Sequence, residues 1–316
     1  MKKELSHYKV ALKEAKKQIK LYKSPDFAIA RTEANIIRYL HILEKGLSLS
    51  APRLGFGIAK IDKLFEYVDE YLALGSDNLF CIYMTRDAVR AYLNYHKERS
   101  FSSPEIDGVR EKLMSLEAKI PESDEIYGGT LTLQRESMSW DISEIENFFK
   151  TRHSIREFSG EPVSEEDIRR AVDLAKLCPS ACNRQCARVY SVEPKKYMSE
   201  MKTDLQGIGG FADDVDRFLL ITAKETAYDI GERKQAIVSA SIFAGYMTLA
   251  LHTYGIASCV VQRSLSINPV WDAFKEKNGI PEDEQVVLMI AVGKYKETTT
   301  VPVSKRFPTD VVYKKL

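Results

Sequence analysis

The sequence predicts a mixed helix-and-strand protein with an all-helical N-terminal part and a C-terminal part that combines strands with helices. Three observations predict it. Apolar residues recur at helical spacing from about residue 4 to 120, and that spacing stops between Pro121 and Met138. From Asp141 onward, short apolar runs alternate with helical patterns. A chain of 316 residues has room for about two ordinary domains. We divide it into a helical extension (1–120), a linker (121–140) and a second domain (141–316).

In the first part, Leu12 to Tyr22 is amphipathic and basic, and Ser24-Pro25 ends it. Phe27 to Leu43 places Ala30, Ala34, Ile37, Leu40 and Leu43 at helical spacing. Gly55-Phe56-Gly57 precedes a third helix, Ile58 to Leu74. Gly75-Ser76-Asp77 closes it and caps a fourth, Leu79 to Lys97, and a fifth runs from Ser103-Pro104 to about Ala118. His41 and Glu44 share a helical face, but no third ligand is near and the HExxH order is absent, so a packed helix end explains them better than a metal pair. Tyr67, Tyr71, Tyr92 and Tyr95 read as core and interface. The linker carries a short strand at Thr130 to Leu133.

In the second part, Asp141 with Glu144 caps a short helix to Phe149, and Ser164 caps another whose buried face is Ile168, Ala171, Val172 and Ala175. A strand follows at Val189 to Val192, then a helix at Pro194 to Met201 and a glycine loop, Gly207 to Gly210. That loop precedes a strand (Phe218 to Ala223) instead of following one, which argues against a dinucleotide fingerprint. The helix Lys234 to Tyr254 carries Ala240, Ala244, Gly245 and Ala250, small residues that admit a close neighbour, and ends at Gly255. A strand Ala257 to Val261, a helix Val270 to Lys277, a strand Gln285 to Val292 and an extended basic tail complete the chain.

Composition excludes several classes. Charge is balanced, 46 basic against 45 acidic residues, so there is no general attraction to nucleic acid or anionic membrane. The most apolar run, Ala236 to Leu251, is short for a membrane span and contains Ser239, Ser241 and Thr248. Five cysteines and no apolar leader at the start fit a cytoplasmic setting.

Two stretches carry chemistry. In Arg152-His153-Ser154-Ile155-Arg156 an extended backbone puts Arg152, Ser154 and Arg156 on one side, with His153 and Ile155 facing the other way. Two guanidiniums and a hydroxyl then form a receptor for phosphate or another oxygen-rich anion, or else a solvated basic strand. In Cys178 to Cys186, Ser180, Asn183 and Gln185 can donate to and accept from the edge of a heteroaromatic ring. The three cysteines there lack the paired CxxC spacing of a zinc site, so we assign no metal.

Residues 141–316 resemble the FMN-dependent nitroreductase family in several motifs that occur in order. Arg152 to Arg156 resembles the family's RxSxR/K segment, and Pro179-Ser180-Ala181-Cys182-Asn183-Arg184-Gln185 its PSxxNxQ loop. Lys234 to Arg263 resembles the central dimer helix with the strand that reaches the flavin, and Ser304-Lys305-Arg306-Phe307-Pro308 the basic C-terminal element. The resemblance implies a three-layer α+β fold with a mainly antiparallel sheet, and a homodimer with FMN at its interface. It implies hydride transfer from NAD(P)H through flavin N5 to a small organic acceptor. Arg152, His153, Ser154 and Arg156 then hold FMN, with Ser304, Lys305 and Arg306 closing on its phosphate and Gln262 and Arg263 near N5. Ser180, Ala181 and Asn183 then come from the second subunit, and Pro179 and Gln185 also count among the FMN-binding residues. No side-chain nucleophile or base is required, and none is assigned.

Cys186-Ala187 stands where the family often has Pro-Trp, which implies a roomier pocket. The helical extension, including the run from His41 to Gly57, resembles one found on nitroreductase-like proteins associated with polysaccharide biosynthesis. Two alternatives accompany this reading. One is a specialised flavin enzyme of the same fold (reductive dehalogenation, flavin breakdown or biosynthetic dehydrogenation) with the helical half as lid. The other is a flavin-binding interaction scaffold.

Overall fold

The computed structural model describes residues 2–135, 139–194, 208, 210–232, 234–262 and 269–316. Its N-terminal half contains α1 (Lys2–Lys23), α2 (Ala28–Leu47), α3 (Ile58–Ala73), α4 (Phe80–Glu98) and α5 (Pro104–Glu117). α1 begins at Lys2, as the helical pattern from about residue 4 predicts, ahead of the amphipathic stretch that opens at Leu12. Ser24 follows it and caps the next short turn, Pro25–Phe27, by accepting from the Asp26 amide, and Ser103 caps α5 with Pro104 in the first turn.

These helices bury Ile36, Leu40, Leu64, Tyr71, Ile82, Tyr92 and Ile106 in a core of their own. Tyr71 and Tyr92 are core residues, as expected, and donate their hydroxyls to the carbonyls of Asn78 and Phe56. Two expectations are corrected. Gly75-Ser76-Asp77 does not cap α4: Asn78 Oδ1 accepts from the Phe80 amide, and Ser76 Oγ from the Asn78 amide. Thr130 to Leu133 is irregular, not a strand; Leu131 and Leu133 are exposed and that stretch belongs to no sheet.

The C-terminal half contains α6 (Ile142–Thr151), α7 (Glu165–Ala175), α8 (Lys234–Thr253), α9 (Pro269–Lys277) and the short α10 (Thr309–Val312). Its strands are β1 (Ala187–Val192), β2 (Arg217–Lys224), β3 (Ile256–Gln262) and β4 (Glu284–Lys294). They form one sheet in the order β1-β2-β4-β3, with every neighbouring pair antiparallel. The expected helix at Pro194 to Met201 extends beyond the described residues, which also leave out Gly207, Gly209 and Arg263.

Strand periodicity sorts side chains between two layers. Leu219 and Ile221 of β2 join Leu288, Ile290 and Val292 of β4 in a core with α7 and α8. Phe218 and Leu220 join Met289 and Ala291 on the opposite face, against Trp271 and Phe274 of α9, Ile155 and Phe158. In the β2–β4 register Ile221 faces Leu288 and Thr222 faces Val286, so Val287 is the extra residue of a β-bulge. The bulge puts Val287 and Leu288 in the same layer. With both faces covered, the sheet is the middle of three layers, as the sequence resemblance implied.

α8 explains its apolar composition only in part. Ala236, Ala240, Ala244 and Met247 are buried in the layer that also holds Ala171 and Ala175 of α7. Its opposite side leaves Val238, Ile242 and Tyr246 exposed. Although the helix is long and apolar enough to cross a membrane, its buried face is spent on the sheet.

The two halves are joined by polar contacts. Lys17 pairs with Asp272 at 2.9 Å, Gln18 donates to Glu225, and Tyr22 and Arg38 both donate to Asp229. Ala34 of α2 joins the α7–α8 core, and α2 also packs against the turn Ala181–Asn183.

Candidate functional site

The segment after α6 is extended from Arg152 onward. It lies on the free side of β3, where the Ile155 amide donates to the Ser258 carbonyl at 2.9 Å; further on, the Ser159 amide donates to the Lys294 carbonyl. Ile155 and Phe158 are buried and anchor it. Gly293 is required for this seat, since a Cβ there would lie 2.6 Å from the Phe158 ring. Arg152, His153 and Ser154 are half-buried and Arg156 is exposed.

The electrostatics around this segment are cationic. Burial lowers the affinity of His252 for a proton, and the charges of Arg152 and His153 lower it further, against a hydrogen bond to the Phe148 backbone that raises it. Burial raises the Cys259 thiol, while Arg156, Ser154 and Arg152 act in the opposite direction. His252 is held by Thr151 Oγ1 at 3.1 Å and the Tyr295 hydroxyl at 3.3 Å. Among the described residues, no carboxylate pairs with Arg152, Arg156, Lys305 or Arg306. A half-buried guanidinium that shares its edge with Arg156 and pairs with no carboxylate among the described residues is suited to an incoming anion.

The second group of sequence-selected residues sits elsewhere. Ser180, Ala181 and Asn183 are half-buried in the loop that feeds β1, with Pro179 and Gln185 exposed. Cys182, Asn183 and Gln185 all have positive φ, 54°, 55° and 45°, although none is glycine. Hydrogen bonds fix this shape: the Gln185 amide donates to Ser180 Oγ at 3.0 Å and the Ala181 amide to Ser239 Oγ at 3.4 Å. Cys178, Cys182 and Cys186 are free thiols, and among the described residues no three potential ligands gather as a metal site.

Within one chain these two groups are not brought together. The Arg152 segment borders β3 and the Ser180 loop enters β1, at opposite edges of the four-stranded sheet. Three strand spacings separate those edges, roughly 14 Å. Gln262 ends β3 and is exposed. Val301 packs on the core that holds Ile155, and beyond it Ser304, Lys305 and Arg306 are exposed, with Arg306 Nη1 donating to the Ser304 carbonyl.

Sequence reasoning missed Arg184, the most constrained side chain of the loop. It is 5% exposed, donates twice to the Glu232 carboxylate, and lies 4.0 Å from the Tyr228 ring centroid. Its partner is far away in sequence and leaves no local signal. Also missed was a cavity of about 680 Å³ beside the loop, lined by Ile37, Phe80, Ile168, Arg184, Gln185 and Arg188 among others, so that α2 of the helical half forms part of its wall. His41 and Glu44 do share a face, 3.8 Å apart, but Glu44 also accepts from the Gly129 amide, which ties the helix end to the linker.

Comparison with known proteins gives a match to the nitroreductase family model over residues 149–208 and 206–294. A curated relative, Spy0809 of Streptococcus pyogenes serotype M6, carries a provisional NAD(P)H nitroreductase name. It is 45% identical over 47 residues, 15% of this chain; the chain spans only 24% of that relative's length. A solved nitroreductase family protein of Streptococcus pneumoniae is 19% identical, with a TM-score of 0.45 over 54% of this chain and 100% of its own. An FMN-dependent nitroreductase of Clostridium difficile is 23% identical, with a TM-score of 0.42 over 50% of this chain and 91% of its own. The matched motifs and the antiparallel three-layer arrangement lie in the same part of the chain, residues 149–294, which carries the match to the nitroreductase family model.

Proposed function

We propose that this protein is an FMN-dependent oxidoreductase that works as a homodimer, taking hydride from NAD(P)H and delivering it to a small organic acceptor. The observation that carries the reading is the unpaired cationic edge: half-buried Arg152 beside Ser154, with Arg156 near it and no described carboxylate paired to either arginine. These groups fit a phosphate ester, which brings close to two negative charges and several acceptor oxygens. In this reading Arg152 and Ser154 hold the phosphate and ribityl chain, His153 flanks them, and Arg156 faces the pyrimidine edge. Ser304, Lys305 and Arg306 close over the phosphate, and Gln262 and Arg263 border the ring. FMN, when bound, supplies the hydride-accepting and hydride-donating centre.

The second subunit supplies the Ser180 loop. Its separation from Arg152 across the sheet, and the exposed Val238, Ile242 and Tyr246 on α8, support a paired arrangement. In that arrangement Pro179, Ser180, Ala181, Asn183 and Gln185 orient the ring and exclude water. No residue is assigned as nucleophile or base. NAD(P)H as reductant is supported by the name of the S. pyogenes relative alone.

The test is an absorbance spectrum of the purified protein before and after anaerobic addition of NADH or NADPH. Yellow protein that releases FMN and is bleached by either nucleotide is the expected result. Colourless protein that takes up no added FMN overturns the reading.

A further inference from the structure

The Ser180 loop is held only in part by its own bonds, from the Gln185 amide to Ser180 Oγ and from the Asn183 amide to the Ser180 carbonyl. Three non-glycine residues in the left-handed region are strained, so the surroundings must help to impose them. The Ala181 peptide groups are pinned from both sides: Ser239 Oγ accepts from its amide, and Arg184 Nε donates to its carbonyl at 3.2 Å. Arg184 is itself fixed by Glu232, by the Ala227 carbonyl and by the Tyr228 ring. The segment carrying these partners, residues 225–232, is made of short 3-10 turns. Two helices of the N-terminal half hold that segment. Tyr22 of α1 donates to Asp229 Oδ1 at 2.6 Å and Arg38 of α2 to Asp229 Oδ2 at 2.7 Å, while the Asp229 amide contacts Glu232 Oε2 at 3.4 Å.

We propose that the N-terminal helical half is a positioning scaffold for the loop 180–185, acting from Tyr22 and Arg38 through Asp229 and Glu232 onto Arg184. Arg184 is a positioning residue: it shapes the backbone of Ala181 and is directed at Glu232, away from any ligand role. The proposal rests on the reading that this loop completes a flavin site. It gives the helical half a fixed, supporting task instead of the opening and closing of a lid.

The experiment uses the full chain with Cys178→Ser, so that Cys182 becomes the loop's reporter thiol; Cys186 is buried. Alkylation of Cys182 by iodoacetamide is timed in flavin-free protein, and flavin release in loaded protein, for Tyr22→Phe/Arg38→Ala. Lys119→Ala, which removes a pair with Asp69 inside the helical half, is the control. The expected result is alkylation and flavin release each faster by about tenfold or more, since two hydrogen bonds to the Asp229 carboxylate are lost, with the control unchanged. Asp229→Asn is expected to behave in the same way, and Arg38→Lys to recover part of the effect. Alkylation that stays at the parental rate in both Tyr22→Phe/Arg38→Ala and Asp229→Asn overturns the proposal, whatever flavin does. Faster alkylation in a protein that never binds flavin upholds the scaffold and sinks the flavin reading instead.

Discussion

Arg184 and Glu232 form a two-pronged ion pair, Nη1 to Oε2 at 2.8 Å and Nη2 to Oε1 at 3.0 Å, between residues 48 positions apart. The guanidinium is buried, whereas the Glu232 side chain is 38% exposed. Breaking the pair from the carboxylate side strands a buried charge, which is the costly direction. Glu232→Gln is therefore expected to lower stability by about 2 kcal/mol, measured by urea unfolding at neutral pH. The Arg184 hydrogen bond holds the Glu232 carboxyl below its usual range, against burial. This part of the stability is present above the ordinary carboxylate pKa and is lost as pH falls through the lowered folded-state value.

Glu225 behaves in the opposite sense. Burial is the main cause that pushes its carboxyl up to about 7, with Lys17 and Lys275 opposing and Asp283 and Glu14 adding. It accepts from Gln18 of α1 at 3.3 Å. A raised folded-state pKa stabilises at low pH, and that stability is lost as pH rises from the ordinary carboxylate value through about 7. Glu225→Gln is expected to equal the parent near pH 4 and to be more stable at pH 8.5, by up to about 3 kcal/mol. Unfolding curves at the two pH values check this, and an equal difference at both would refute it.

Arg152→Ala is expected to weaken FMN binding by roughly 10- to 100-fold, as for loss of one charge-assisted contact to phosphate. Arg306→Ala should weaken it less, since that side chain is exposed and keeps its own local bond to the Ser304 carbonyl. Titration of apoprotein by flavin fluorescence quenching measures both. Undiminished affinity in the double variant would place the phosphate elsewhere.

Ile242→Glu puts a charge in the middle of the exposed apolar stripe of α8, between Val238 and Tyr246. The expected outcome is a shift from dimer to monomer in sedimentation, with the helical content retained because the buried face of α8 is untouched. A parent protein that already sediments as a monomer would remove the basis of the paired site.

Much of the C-terminal half was legible in the sequence because its elements carry strong periodic marks. Leu219 and Ile221 alternate with Phe218 and Leu220, Ser164 precedes three acidic residues, and Gly255 follows α8 in the left-handed conformation its position needs. Thr130 to Leu133 misled because composition suits a strand while no edge is there to receive it. The motif residues were legible as types, but not their distribution over two sheet edges, which depends on long-range strand order. Nor was the Arg184–Glu232 pair, whose partners are joined only by the fold.

The placement of Arg152 at one sheet edge and the Ser180 loop at the other has a genetic meaning in the paired protein proposed above. Each site draws one edge from each copy. A copy crippled at Arg152 and another crippled in the loop, produced together, assemble into mixed pairs in which one site carries both lesions and the other carries none. Two alleles that are each inactive alone would then restore function when present together, whereas two lesions on the same edge would not.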